Sequence, residues 1–393
     1  MKIIFLFPDM NVCGGRYHLL EVARQLMIFG HDVRIISPKF SQKDLAIFYD
    51  AYPVPIIVDD RVTTHMSYLP SFRRPLAVLR ALWSFWKSRY FCEHIPADTD
   101  VIYAGFYTTA PAALLAKRKQ ARNAITVLSI QMPPRRDLWD TLLLLGRLYA
   151  PLPRLMDALI TVSECTSHSI KTDLGLPSFN VCNGIDQSLF RFVSDNRDAI
   201  SAFNLPSGKD FLLFLGGIHQ IKGIEYLLPA FKKLSLKYHK LHLILAGSSP
   251  YIDKYKKDAD NLGIANKISW TGYVKRDTLM PKLYSLASVF VFPSLYESFA
   301  IPPLEAMACR CPVAVSDCGG PSEYLENGRN GVVFPIENID AIVSAVSYLL
   351  DNPAKAAELA AEGEKTAQKF SWEAVARKTE AAFLQSIKKA RGE

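Results

Sequence analysis

Two glutamates, Glu297 and Glu305, stand eight positions apart in the stretch PSLYESFAIPPLEAMA, residues 293–308. Pro302 and Pro303 between them suit the opening positions of a helix, where a missing N–H matters least. The spacing therefore puts Glu305 in the first turn of that helix and Glu297 upstream in a loop. Ser298 and the backbone amides of Phe299, Ala300 and Ile301 then lie where free N–H groups and the helix dipole favour an anion. A diphosphate bound there needs few cationic side chains. Glu305 can accept hydrogen bonds from a ribose diol, and Glu297 can face a sugar ring on the other side. Glutamates at this spacing also arise by chance, and a carboxylate near a helix start often does no more than complement the dipole. The pair alone leaves both readings open.

The elements that would position these residues read as strands and helices in alternation. KIIFLF, DVRIIS, DVIYAG, AITVLSI and ALITVS are continuous apolar runs, whereas Leu19, Leu20, Val22, Ala23, Leu26 and Met27 keep helical spacing. Such runs belong to parallel strands buried on both faces. After Ile185 the polar segment DQSLFRFVSDNRDAISAFNLPSGKD forms a connection, and a second series opens with FLLFLGG, LHLILAG, KISWTGYV, SVFVFPS, CPVAVSD and GVVFP. The expected fold class is α/β, with two Rossmann-like doubly wound domains over 1–185 and 186–372. Ligand is expected between them, at the carboxyl ends of the strands.

A chain of 393 residues fits two domains. A formal charge of +8 favours anionic partners. Seven cysteines, with Cys309, Cys311 and Cys318 close together, lack the second pair that a zinc site needs, and read as buried thiols of a reducing cytosol. The N-terminal apolar run breaks at Pro8 and Asp9, too early for a secretory signal, and no uncharged run approaches the ~18 residues of a membrane span. The stretch from His65 to His94 mixes Arg73, Arg74, Arg80, Lys87 and Arg89 with Trp, Phe and Tyr, and the segment from Met132 to Asp157 repeats the mixture. Basic side chains beside interfacial aromatics suit peripheral contact with an anionic membrane. A packing helix with a solvated basic edge is the plainer alternative. No nucleic-acid-binding signature accompanies the charge, so nucleic acid is not expected as a partner.

The segment SVFVFPSLYESFAIPPLEAMACRCPVAVSDCGGPSEYLENGRNGVVFP closely resembles the donor-binding core of the family 4 retaining glycosyltransferases, which have the GT-B fold and a Glu–seven residues–Glu signature. GGRYHLLEVARQLMIFGHDVRII is similar to that family's first glycine loop and helix. LFLGGIHQIKGIEYLLPAF is similar to its donor-lysine loop, and FSWEAVARKTEAAF to its closing segment. The likeness is strongest over about 211–335 and weakest over about 40–120. It implies that a helix over about 373–393 rejoins the first, acceptor-binding domain, while 186–372 binds the donor.

The resemblance also implies roles. Glu305 would bind the ribose hydroxyls of a nucleotide sugar, and Glu297 would contact the donor sugar and stabilise charge at its anomeric centre. Lys222 would neutralise the departing diphosphate, with the amides of Phe299, Ala300 and Ile301. Gly14 and Gly15 would let backbone approach the donor phosphates, and backbone near Tyr273 and Val274 would read the base. No metal or cofactor is implied, the nucleotide sugar being a substrate. Three positions depart from the family pattern. Gly217 stands where arginine is usual, with His219 able to compensate in part. Gln131 stands at or next to a usual histidine, able to hydrogen-bond an acceptor hydroxyl but not to titrate. Ala300 replaces a common glycine, a small change if only its amide is used. His18 and His31 read as a helix-surface and a loop residue.

The expected function is retaining sugar transfer from a nucleotide-sugar donor to a glycan or lipid-linked acceptor, in cell-surface polysaccharide or glycolipid biosynthesis. The expected location is the cytoplasm or the inner face of the cell membrane. A nucleotide-sugar-binding protein without catalysis, or a sugar-nucleotide epimerase on the same scaffold, is the alternative. A nicotinamide dehydrogenase is disfavoured, because no G-x-G-x-x-G follows the first strand.

Overall fold

The computed structural model describes residues 1–7, 14–38, 54–59, 61, 86–131 and 151–393. The chain forms two units, Met1–Asn183 with Trp372–Glu393, and Gly184–Ser371. The first holds strands β1 (Lys2–Leu6), β2 (Asp32–Pro38), β3 (Ile56–Asp59), β4 (Val101–Ala104), β5 (Ile125–Ile130), β6 (Ala158–Thr161) and β7 (Phe179–Asn180). They pair in parallel in the order β3-β2-β1-β4-β5-β6-β7. Strands β4, β5 and β6 are buried along their whole length, which is why each reads as an unbroken apolar run. The two edges are partly exposed: β3 keeps a run of Ile56, Ile57 and Val58, and β7 is only two residues long.

The helix Trp372–Arg391 belongs to the first unit, where buried Trp372 meets Tyr17 edge-on at a centroid distance of 5.3 Å and Phe383 meets Tyr103 at 5.7 Å. His31 Nε2 and Glu380 Oε1 are 2.7 Å apart, tying the loop before β2 to the same helix. His18 corrects an expectation: it is fully buried rather than on a helix surface. Its Nδ1 bonds Asn183 Oδ1 at 2.7 Å, and burial pushes its pKa down to about 4. It packs on Trp372 as a neutral core histidine.

The second unit holds β8 (Asp210–Leu215), β9 (Leu241–Ala246), β10 (Ile268–Gly272), β11 (Val289–Phe292), β12 (Val313–Ser316) and β13 (Val332–Phe334), all paired in parallel in the order β10-β9-β8-β11-β12-β13. In both sheets the winding direction reverses beside the first strand, between β1 and β4 and between β8 and β11. The loops leaving two such neighbours diverge to opposite faces and open a crevice at their carboxyl ends.

Most of the basic aromatic stretches, residues 62–85 and 132–150, lies outside the described residues. At the described end, exposed Trp86 carries the Arg89 guanidinium 3.5 Å from its ring centroid. Among the described residues no helix is long and apolar enough to cross a membrane.

Candidate active site

Lys222 and Glu297 come together on the loops that leave β8 and β11, the neighbours at the reversal in the second unit. After β8 the chain turns through Gln220–Lys222 and a left-handed Gly223 with φ of +71°. Only glycine fits there, since a Cβ would lie 1.9 Å from the Pro293 carbonyl oxygen. The amide of Leu295 donates to the Ile221 carbonyl at 2.8 Å, fastening the two loops to each other. Lys222 Nζ then donates to Glu297 Oε1, and the Ser294 hydroxyl donates to the same oxygen at 2.7 Å.

The main chain of Glu297 is fixed as well. Its amide donates to the Cys318 carbonyl at 2.9 Å, and its carbonyl accepts from Gly320 at 2.9 Å. Gly320 packs so closely on the 298–299 peptide that a Cβ would stand 2.3 Å from the Phe299 nitrogen. Backbone must yield to a methyl there, so Gly320→Ala is expected to cost about 1–3 kcal/mol of stability, read by urea denaturation. An unchanged midpoint would contradict the close approach.

The helix that follows spans Ile301–Ala308, with Ala300 at its N-cap. Among the described residues nothing accepts from the amides of Phe299, Ala300 or Ile301. They form a short run of free donors at a helix start. Ala300 has φ of +65°, in the region that favours glycine, and the Tyr324 hydroxyl holds its carbonyl at 2.6 Å. The exchange of glycine for alanine is thus more than a spare methyl, because the backbone itself is strained. Ala300→Gly is expected to raise stability by about 1 kcal/mol, measured as a higher denaturation midpoint.

Glu305 differs from its expected setting. The helix opens at Ile301, so this residue falls in the second turn and is fully buried. Its Oε1 accepts from the Arg276 guanidinium, and its Oε2 accepts from the Tyr284 hydroxyl at 2.9 Å. Burial and the neighbouring carboxylate push the Tyr284 pKa well up, which keeps that hydroxyl protonated and donating.

The remaining sequence-predicted residues divide between the two units. His219 lies close enough to Lys222 and Glu297 to feel both charges. Burial first and Lys222 second lower its pKa, and Glu297 opposes them. A histidine depressed in this way is neutral at pH 7, so it offers a hydrogen bond but not the charge of the missing arginine. Its ring covers Gly217, where a Cβ would come within 2.9 Å of it. Tyr273 is half exposed and Val274 buried, just after Gly272, whose carbonyl accepts from Gly247 at 2.8 Å. In the first unit Gly14 opens the helix Gly14–Ile28. A Cβ on Gly15 would meet Phe106 at 3.2 Å and Gln131 at 3.3 Å, so Gly15 and Gln131 share one spot. Gln131 Nε2 donates to Ser129 Oγ at 2.6 Å.

Ser294, Gly320, Tyr324, Arg276 and Tyr284 escaped the sequence reading. Ser294, Gly320 and Tyr324 fall inside the segment that carries the family resemblance, so a signal was present. Arg276 and Tyr284 lie in a polar loop and on a helix face with no pattern that marks them.

Two parallel-sheet α/β domains, each with its strand reversal beside the first strand, make this a GT-B fold. The family model "Glycosyltransferase Family 4" matches residues 12–189, and "Glycosyl transferases group 1" matches 195–366. The chain belongs to the family 4 glycosyltransferases. An uncharacterized glycosyltransferase of Methanocaldococcus jannaschii is 33% identical over 228 residues, covering 56% of this chain and 58% of that relative's length. The lipopolysaccharide core biosynthesis mannosyltransferase LpsB of Rhizobium meliloti is 26% identical over 91% of this chain and 99% of its own. The crystal structure of Anabaena HepE in complex with UDP and glucose shares the fold, with a TM-score of 0.80 at 17% identity over 97% of this chain and 98% of that one.

Proposed function

We propose that this protein is a retaining, metal-independent glycosyltransferase that moves a sugar from a nucleotide-sugar donor to a glycan or lipid-linked acceptor. The observation that carries the reading is the meeting of Lys222 and Glu297 at the β8/β11 reversal, beside the free amides of 299–301. The diphosphate takes the amides and Lys222, which neutralise charge as the anomeric C–O bond breaks. Glu297 then faces the donor sugar and stabilises the positive charge that grows at the anomeric carbon. The acceptor hydroxyl attacks on the face the diphosphate leaves, and a leaving phosphate oxygen takes its proton. A double displacement fits less well, since a nucleophilic carboxylate must approach from the opposite face. Glu305 grips the ribose, the backbone at Tyr273 and Val274 reads the base, and Gln131 binds acceptor.

The named relative LpsB acts in lipopolysaccharide core biosynthesis, which supports a surface-glycan role at the cytoplasmic face of the membrane. Exposed Trp86, with Arg89 on its ring, supports peripheral contact with acidic lipid. A nucleotide-sugar-binding protein without catalysis is favoured by one feature, Gly217 with a neutral His219 in place of a cation. Thermal-shift measurement against UDP-, GDP-, ADP- and dTDP-sugars, followed by anomeric NMR of any product, tests the reading. A stabilising donor that is transferred with its configuration kept is expected. Binding without turnover would favour the non-catalytic alternative, and inversion would remove the mechanism.

A further inference from the structure

If Glu305 grips the donor ribose, as the proposed function has it, the ribose must reach a carboxylate with no exposed surface. Both carboxylate oxygens are already occupied, one by Arg276 and one by Tyr284. The two partners are not equivalent. Tyr284 is fully buried in the helix Leu279–Leu286, whereas a quarter of the Arg276 side chain is exposed, on the segment just after Tyr273 and Val274. The Arg276 guanidinium also lies 5.0 Å from the Phe190 ring centroid. Of the two, Arg276 is the one with a path to solvent.

We propose that Arg276 is a latch on the donor site, which occupies Glu305 in the absence of nucleotide and is displaced by the ribose 2′- and 3′-hydroxyls. The exchange conserves hydrogen bonding. The carboxylate gives up a charge-assisted bond and accepts from two hydroxyls while keeping Tyr284. The guanidinium regains water and retains the Phe190 ring. A nucleotide lacking those hydroxyls cannot complete the exchange, since it would leave Glu305 charged, buried and short of donors. Glu305 therefore sets the preference for ribose, and Arg276 is a competitor that lessens it. A dideoxynucleotide binds with the latch left closed, because opening it would replace nothing that the latch supplied.

The test compares wild type, Arg276→Ala and Arg276→Lys by calorimetry with UDP, GDP and their 2′,3′-dideoxy counterparts. Removing the competitor is expected to tighten UDP or GDP binding about tenfold, within the usual range of coupling between two ligands of one site. It should leave the dideoxy nucleotides no tighter, so that selectivity for ribose widens. Unchanged or weaker UDP and GDP binding by Arg276→Ala would overturn the latch. Should that variant fail to fold, Arg276→Lys keeps the charge but lacks the fork, and a smaller gain of the same sign is expected. No gain in the lysine variant would then overturn the proposal. If the wild type bound none of UDP, GDP, ADP or dTDP, the donor-site reading itself would fall, an outcome distinct from binding that the Arg276 variants leave unaltered.

Discussion

Glu297→Ala is expected to lower kcat about 10²–10³-fold while leaving nucleoside diphosphate binding unweakened. The carboxylate is held on three sides, by Lys222, by Ser294 and through its own backbone by Cys318 and Gly320. A charge fixed this firmly needs no reorganisation when positive charge grows beside it, which is the condition for strong electrostatic catalysis. Its loss also frees Lys222 from an ion pair, so the ammonium turns wholly to the diphosphate, and nucleotide affinity holds or rises. Glu297→Gln preserves the shape and removes the charge, and should be nearly as slow as alanine. Parallel falls in kcat and nucleotide affinity would mean that Glu297 only supports the loop.

Lys222→Ala is expected to lower kcat by a similar ~10²–10³-fold and to weaken nucleoside diphosphate binding as well, which separates it from the Glu297 variant. With glycine at 217 and a neutral His219, Lys222 is the cation that the loop after β8 can aim at a leaving diphosphate. Lys222→Arg should recover part of the rate, because charge returns on a different geometry. The double variant should be less impaired than the two single losses combined, since the residues share one hydrogen bond and are removed as a unit. Strict additivity of the two losses would contradict the coupling drawn from the structure.

Much of the fold was legible because the interior strands are buried on both faces and therefore apolar without interruption. The runs read from the sequence overlap β1, β2, β4, β5 and β6, and all the strands of the second sheet. Of the edges that were missed, β7 is only two residues long, and β3 confines its apolar run to Ile56, Ile57 and Val58, between Pro55 and Asp59. At the candidate site, types and spacing led to Glu297 and the amides of 299–301, which lie on local loop and helix-start chemistry, and the family resemblance led to Lys222. What escaped depends on residues far apart in sequence. Glu305 looks like a helix-start carboxylate until Arg276 and Tyr284 close over it from other elements. His18 sits on a half-polar helix, and only Asn183 and the returning Trp372 make its position interior. The strain at Ala300 was invisible too, because a positive φ is set by how the loop closes on Tyr324.

A crystal structure with a stabilising nucleoside diphosphate bound decides whether the loops after β8 and β11 hold the donor. The diphosphate is expected on the amides of Phe299, Ala300 and Ile301, with Lys222 Nζ turned from Glu297 onto a phosphate oxygen. A nucleotide bound elsewhere, with the Lys222–Glu297 pair intact and those amides untouched, would contradict it.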